Sequence, residues 1–217
     1  MKLKHLVQTF KIKDLKLFVN NKEVQTEWLP NIKQKSENNL KIKHSDKIEK
    51  YPHIIMFNAR SIRNKIDELI ILTTTHKPNL ILITESWLNS WIPNSILKID
   101  DYKIIRNDRK HKKGGGVCAY IHKDTTFVLE ELSGVPPNIN IIAFSAKNFI
   151  YILIYIPPNL LANENLEIIN FLIKTYDEHL IKCPDKYIII CGDFNKIDIK
   201  YLEIHHNLLN IYKFTVT

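Results

Sequence analysis

Asp193 and Asn195 are the pair of side chains on which chemistry is most readily built. They close the stretch Gly192-Asp193-Phe194-Asn195, directly after the apolar run Tyr187-Ile188-Ile189-Ile190, so a carboxylate and a carboxamide stand at the mouth of a buried strand. Residues two apart on an extended chain project the same way, which lets the two groups grip one phosphate or one hydrated cation together. Gly, Asp and Asn are also ordinary turn formers, and a solvated turn fits the same four residues.

The same arrangement recurs along the chain. His53-Ile54-Ile55-Met56-Phe57 runs into Asn58-Ala59-Arg60-Ser61, Leu80-Ile81-Leu82-Ile83 into Thr84-Glu85-Ser86-Trp87-Leu88, and Phe149 to Ile154 into Tyr155-Ile156-Pro157-Pro158. Four strand ends thus carry Asn58, Glu85, Tyr155 and the Asp193/Asn195 pair. Taken singly, Glu85 reads as a surface carboxylate at a strand end and Tyr155 as a core aromatic with its hydroxyl at the edge. Continuous apolar runs, however, indicate strands buried on both faces, which brings their polar ends together at one rim of a layered α/β domain. Function in such folds sits there.

The elements that must position these residues follow from the periodicity. The pattern predicts strands at 53–58, 80–84, 102–106, 116–122, 126–131, 140–146, 149–156 and 187–192, with helices at 62–75 and 163–181. Ile62, Ile66, Leu69 and Ile70 form one amphipathic stripe, with Ser61 as its cap; Leu166, Ile169, Leu172, Ile173, Tyr176 and Leu180 form the other. Residues 201–209 read as a short helix or a drifted tail. Gly114-Gly115-Gly116 precedes a strand and has no following Gly-Lys-Ser/Thr, which argues against a nucleotide loop and for a flexible lead into that strand. Lys110-His111-Lys112-Lys113 before it reads as a mobile basic loop, able to touch a nucleic-acid backbone from an active-site rim.

A chain of 217 residues with 45% hydrophobic content suffices for one domain and its core. The charge is uneven: residues 1–50 hold 12 Lys/Arg against 6 Asp/Glu, so most of the net +8 lies there. That segment reads as a basic flexible leader, with room for a short helix or strand between Leu3 and Val19, ahead of a domain over 51–217. The leader is either a solvated tail or a nonspecific phosphate-binding arm. Cys118, Cys183 and Cys191 form no Cys-x-x-Cys pair, which argues against a zinc site or a disulfide framework and for a reducing compartment. Neither a membrane-length apolar run nor a signal-peptide core is present, so a soluble intracellular protein is expected.

In order, N-A-R-S-I (58–62), I-T-E-S-W-L (83–88), R-N-D-R (106–109), G-G-G-V-C-A-Y-I (114–121), Y-I-P-P (155–158) and G-D-F-N (192–195) resemble the endonuclease domain of non-LTR retrotransposons of the jockey and chicken-repeat type. That domain is part of the endonuclease/exonuclease/phosphatase superfamily, and the resemblance runs from about His53 to about Asp198. It implies an α/β (α+β) fold: a two-sheet β-sandwich flanked by helices, deoxyribonuclease I-like. It also implies Mg2+-dependent (or Mn2+-dependent) hydrolysis of phosphodiester bonds, nicking DNA in the nucleus, with a reverse transcriptase domain as partner in an intact element.

By the same resemblance Glu85 ligates the metal, Asp193 orients the attacking water, and Asn58 and Asn195 hold phosphate and water. Tyr155 donates to a phosphate oxygen. Arg60 stands where many members of the superfamily carry a different polar residue, and its fork of donors suits it to clamp a neighbouring phosphate. The family's C-terminal Ser-Asp-His triplet has no counterpart here. His44-Ser45-Asp46 has the letters reversed in the leader, and His205-His206 lies too near Asn195 in sequence to replace it. The chain is therefore expected to be C-terminally truncated, short of the strands that finish the second sheet, and impaired in catalysis. A catalytically inactive nucleic-acid-binding remnant and a phosphatase of the same superfamily stay open as alternatives.

Overall fold

Strands with no polar face need cover on both sides, and the chain supplies it by stacking two sheets and placing a helix outside each. The computed structural model describes residues 8–13, 16–19, 22–24, 52–110, 112–197 and 211–213. In the first sheet β1 (Gln8–Lys13), β2 (Lys16–Val19), β3 (Lys22–Val24), β4 (His53–Asn58), β5 (Leu80–Thr84), β6 (Tyr102–Asn107) and β7 (Val117–His122) lie in the order β3-β2-β1-β4-β5-β7-β6. In the second, β8 (Phe127–Leu129), β9 (Asn140–Ala146), β10 (Phe149–Tyr155), β11 (Tyr187–Asp193) and β12 (Ile211–Lys213) lie in the order β12-β11-β10-β9-β8. Both sheets are mixed: β4 runs parallel to β5 and β10 parallel to β11, while β7 and β9 run antiparallel to β5 and β10.

The two-residue period of a strand sorts the side chains into three layers. Ile54, Met56, Leu80, Leu82 and Ala119 from one sheet meet Phe144, Tyr151, Leu153, Ile189 and Cys191 from the other between the sheets. The alternate residues Ile55, Phe57, Ile81 and Ile83 face outward onto Leu69 and Leu72 of α1 (Ile66–His76). Ile150, Ile152, Ile188 and Ile190 face outward onto Ile168, Phe171 and Leu172 of α2 (Ala162–Lys182).

The strands expected at 53–58, 80–84 and 140–146 match β4, β5 and β9, and the expected α/β sandwich is the architecture observed. The helices differ in detail. The first begins at Ile66, not at 62, because Ser61 N–H and Ile62 N–H donate to the carbonyls of Glu85 and Ser86 (2.8 and 3.1 Å) and hold the chain on β5 for another turn. Ser61 therefore does not cap it; its hydroxyl accepts from Arg63 N–H at 3.4 Å. On α2 the buried stripe is Ile168, Phe171, Leu172, Thr175 and His179, leaving Leu166 and Leu180 exposed. Of the expected stripe, Leu172 is buried and Ile169, Ile173 and Tyr176 pack half-buried against the same core, so the buried face overlaps the expected one and is centred towards Ile168 and Phe171.

Within the segment read as a leader, the backbone of β1 pairs antiparallel with β4, and β2 and β3 extend the same sheet. The rest of residues 1–50 lies outside the described residues, as do residues 201–209 with His205 and His206. The edge of β11 expected to stay bare is paired in parallel with β12 from Ile190 to Gly192. Cys118, Cys183 and Cys191 are free thiols, the first and last buried in strands. No helix among the described residues is long and apolar enough to cross a membrane.

Candidate active site

Parity and register bring the polar strand ends together. Asn58 continues the inward row Ile54-Met56, Tyr155 continues Tyr151-Leu153, and Asp193 continues Ile189-Cys191, so all three face the space between the sheets. Asn58 is in register with Thr84, and Tyr155 with both Asp193 and Asn140, which sets these ends at one rim. There the two sheets are tied directly: Asn58 Nδ2 donates to Asp193 Oδ2 at 2.9 Å, across 135 residues of sequence. The other oxygen of Asp193 accepts Asn195 N–H at 3.1 Å, while Asn58 Oδ1 accepts Arg60 N–H at 3.1 Å. Both side chains are 7% exposed, so each bond is made where water competes poorly.

Glu85 leaves β5 in a left-handed conformation, φ +55°. Arg60, Ser61, Trp87 and Asn195 are also at positive φ, so the ends of β4, β5 and β11 concentrate a backbone state that costs an L-residue on the order of 1–2 kcal/mol. Fixed hydrogen bonds hold it. Glu85 Oε2 accepts Gly115 N–H at 2.9 Å and the Trp87 indole N–H, and the carbonyls of Gly115 and Gly116 accept Trp87 N–H and Ser86 N–H at 3.0 and 3.2 Å. The glycine run is thus a packed wall of the site, not simply a flexible lead into β7.

The Tyr155 hydroxyl stands among charges. Burial first, then the adjacent Glu85 carboxylate, raise its pKa well above the ordinary phenol value, and Asp193 acts in the same direction while Arg109 opposes them. Tyr155 therefore stays a protonated donor at neutral pH. Beside it opens a cleft of about 550 Å³ lined by Glu85, Tyr155, Arg109, Lys112, Lys113 and Gly114, together with Asn138, Glu164 and residues 157–160.

Of the residues singled out from sequence, Asn58, Asp193, Tyr155 and Glu85 are brought together. Asn195 joins them with Nδ2 donating to Ile156 O at 2.6 Å, which ties the β11 end to the β10 end. Arg60 contributes differently: its side chain is exposed, and what it gives the tie is the backbone N–H on Asn58 Oδ1; of these site residues read from sequence only Glu85 and Tyr155 line the cleft itself. Sequence reading passed over Asn140 and Asn107, which form a second tie between the sheets. Asn140 Nδ2 donates to Asn107 Oδ1 at 3.2 Å, Asn140 Oδ1 accepts Gly116 N–H at 3.2 Å, and Asn107 Nδ2 donates to Ile141 O at 3.1 Å. The signal was available in the alternation, since Asn140 heads the inward row Ile142-Phe144-Ala146.

No protein-family model matches the chain, and no curated protein sequence does. Solved structures do. The 3′ phosphatase NExo from Neisseria, bound to product DNA hairpin, superposes with a TM-score of 0.50 at 16% identity, over 65% of this chain and 57% of that one. The fold is deoxyribonuclease I-like. An AP endonuclease from Archaeoglobus fulgidus (TM-score 0.46, 19% identity, 64% of this chain and 56% of that one) and the human Nocturnin catalytic domain with bound sulfate anion (TM-score 0.49, 11%, 71% and 69%) also match. These neighbours are members of the endonuclease/exonuclease/phosphatase superfamily. The chain spans a little over half the length of the first of these deoxyribonuclease I-like structures.

Proposed function

We propose that this rim hydrolyses phosphodiester bonds of DNA with a divalent metal, in the manner of the nicking endonuclease domain of a non-LTR retrotransposon acting in the nucleus beside a reverse transcriptase domain. The observation that carries the reading is the buried Asn58–Asp193 hydrogen bond, which joins the two sheets next to a Tyr155 hydroxyl flanked by Glu85. It supplies, in one place, a carboxylate for water, amides for phosphate and a neutral phenol donor. The motif order supports the narrower retrotransposon reading.

The donor set suits magnesium or manganese. Glu85, Asp193, Asn58, Asn195 and Tyr155 offer hard oxygen ligands, with neither thiolate nor imidazole among them. Magnesium keeps several waters and is held by one or two carboxylates plus substrate phosphate, a demand that Glu85 and Asp193 can meet. Glu85 would hold it. When bound, such an ion polarises the phosphate and stabilises charge on the departing oxygen.

The chain's own groups then divide the work. Asp193 accepts from the attacking water and aims its oxygen at phosphorus, in line with the departing ester oxygen. Tyr155 donates its phenol proton in a hydrogen bond to a non-bridging oxygen, and Asn58 and Asn195 fix water and phosphate in place. As the new P–O bond forms, the bond to the departing oxygen breaks; that oxygen must gain a proton, and the water must lose one. No described histidine stands at this rim: His53 and His122 lie at the opposite strand ends, and His76 and His179 lie on helices. A rim served by no imidazole turns over more slowly by on the order of a hundred- to ten-thousandfold, and none of the described residues brings one there.

A substrate panel tests this reading. Supercoiled plasmid should be nicked in Mg2+ in preference to RNA or a phosphoinositide. Preferential release of phosphate from the phosphoinositide would replace it with the phosphatase reading, and DNA binding without cleavage of any substrate would replace it with that of an inactive remnant.

A further inference from the structure

The motif Arg106-Asn107-Asp108-Arg109 holds two guanidinium groups with different fates. Arg106 commits its donors internally: to the Asp108 carboxylate, to Ile92 O (2.8 Å) and Asn94 Oδ1 (3.0 Å), and to Asn89 O (2.6 Å). It fastens the loop after Leu88 to the sheet. Arg109 pairs with no carboxylate among the described residues. Its guanidinium carbon lies 5.7 Å from the centroid of the Tyr155 ring, and it lines the cleft with the exposed Lys112 and Lys113.

A half-buried guanidinium, laid against a ring and left without a counter-ion, is placed to receive an anion with its fork of donors. The packing protects this arrangement. A Cβ on Gly115 would fall 2.7 Å from both Arg109 Cδ and Tyr155 Cε1, so the stack exists only because residue 115 has no side chain. We propose that Arg109, backed by Tyr155 and flanked by Lys112 and Lys113, forms a second phosphate subsite that holds the backbone phosphate next to the one under attack. This rests on the phosphodiester reading of the Glu85 rim. It gives to Arg109 the clamp that the sequence pattern assigned to Arg60, whose side chain is outside the cleft.

The test is equilibrium binding of a fluorescent DNA duplex to the full chain, read by anisotropy without divalent metal and across a range of salt. Arg109→Ala should weaken binding about five- to tenfold and reduce the slope of log Kd against log salt by about one unit, the signature of one lost phosphate contact. Arg109→Lys should keep the slope with intermediate affinity, because charge survives and the planar fork does not. Arg60→Ala should bind as the native chain does. Wild-type affinity and slope in Arg109→Ala, or an equal loss in Arg60→Ala, overturns the subsite. If Arg109→Ala melts prematurely, Arg109→Gln against Arg109→Lys decides, since the subsite requires the slope to fall only in the former. Binding is read without turnover, so a chain that cleaves no phosphodiester yet loses affinity at Arg109 contradicts the hydrolytic reading and supports the subsite.

Discussion

Gly115→Ala probes the packed wall of the site, and Gly134→Ala supplies its control. Both residues are left-handed, φ +71° and +69°, so an added Cβ costs each a similar backbone penalty of on the order of 1–2 kcal/mol. Only the surroundings differ. Around Gly134 nothing lies within 4 Å, whereas at Gly115 the new methyl meets Arg109 Cδ and Tyr155 Cε1 at 2.7 Å. Arg109 can swing aside. Tyr155 is 2% exposed within β10 and can only move with its strand, so overpacking adds about 1–3 kcal/mol. The difference between the two variants should therefore be about 1–3 kcal/mol in urea unfolding, with Gly115→Ala melting several degrees lower. DNA affinity should fall in Gly115→Ala alone. Two variants of equal stability, within about 0.5 kcal/mol, would refute the packed wall and restore the flexible reading of the glycine run.

Other outcomes follow from the same geometry. Asn58→Ala removes the donor to a buried carboxylate and should cost about 1.5–3 kcal/mol, measured by urea unfolding; a cost near zero would mean that the sheets are not tied there. Thiol labelling of the native chain should modify the half-buried Cys183 first, because burial protects Cys118 and Cys191 and pushes the Cys191 thiol up to about 12; rapid labelling of Cys191 would contradict its place in β11. Burial raises Tyr102 to about 12 and pushes Tyr120, Tyr151 and Tyr155 up as well, so above pH 10 the unfolded chain holds fewer of these protons than the folded one. Stability should be complete below about pH 10 and decline as pH rises towards 12; phenolate absorbance of all four tyrosines rising near pH 10, ahead of unfolding, would contradict this.

Much of the fold was legible because its strands are so uniformly apolar. Runs such as Leu80–Ile83 and Phe149–Ile154 admit little but a strand covered on both faces, and their polar ends mark the rim. Local periodicity found the apolar face of α2 but not its centre: Ile169, Ile173 and Tyr176 pack at its edge, while Ile168 and Phe171 take the middle against the sheet. Ser61 looked like a cap because the sequence does not show that the end of β5 holds its backbone. The site was legible where one strand end carries an unusual polar residue, as at Asn58 and Asp193. It was not legible for Arg109, which differs from Arg106 only in what surrounds it.

The most direct test of the central claim is nicking of supercoiled plasmid in Mg2+ by the 217-residue chain and its Glu85→Ala variant, each also extended by a segment bearing Ser-Asp-His. Weak, metal-dependent nicking by the native chain is expected, increased by the extension and abolished in both Glu85→Ala forms, with DNA binding retained throughout. Nicking that survives Glu85→Ala, or a folded extended chain that binds DNA and never cuts it, would contradict a hydrolytic centre at this rim.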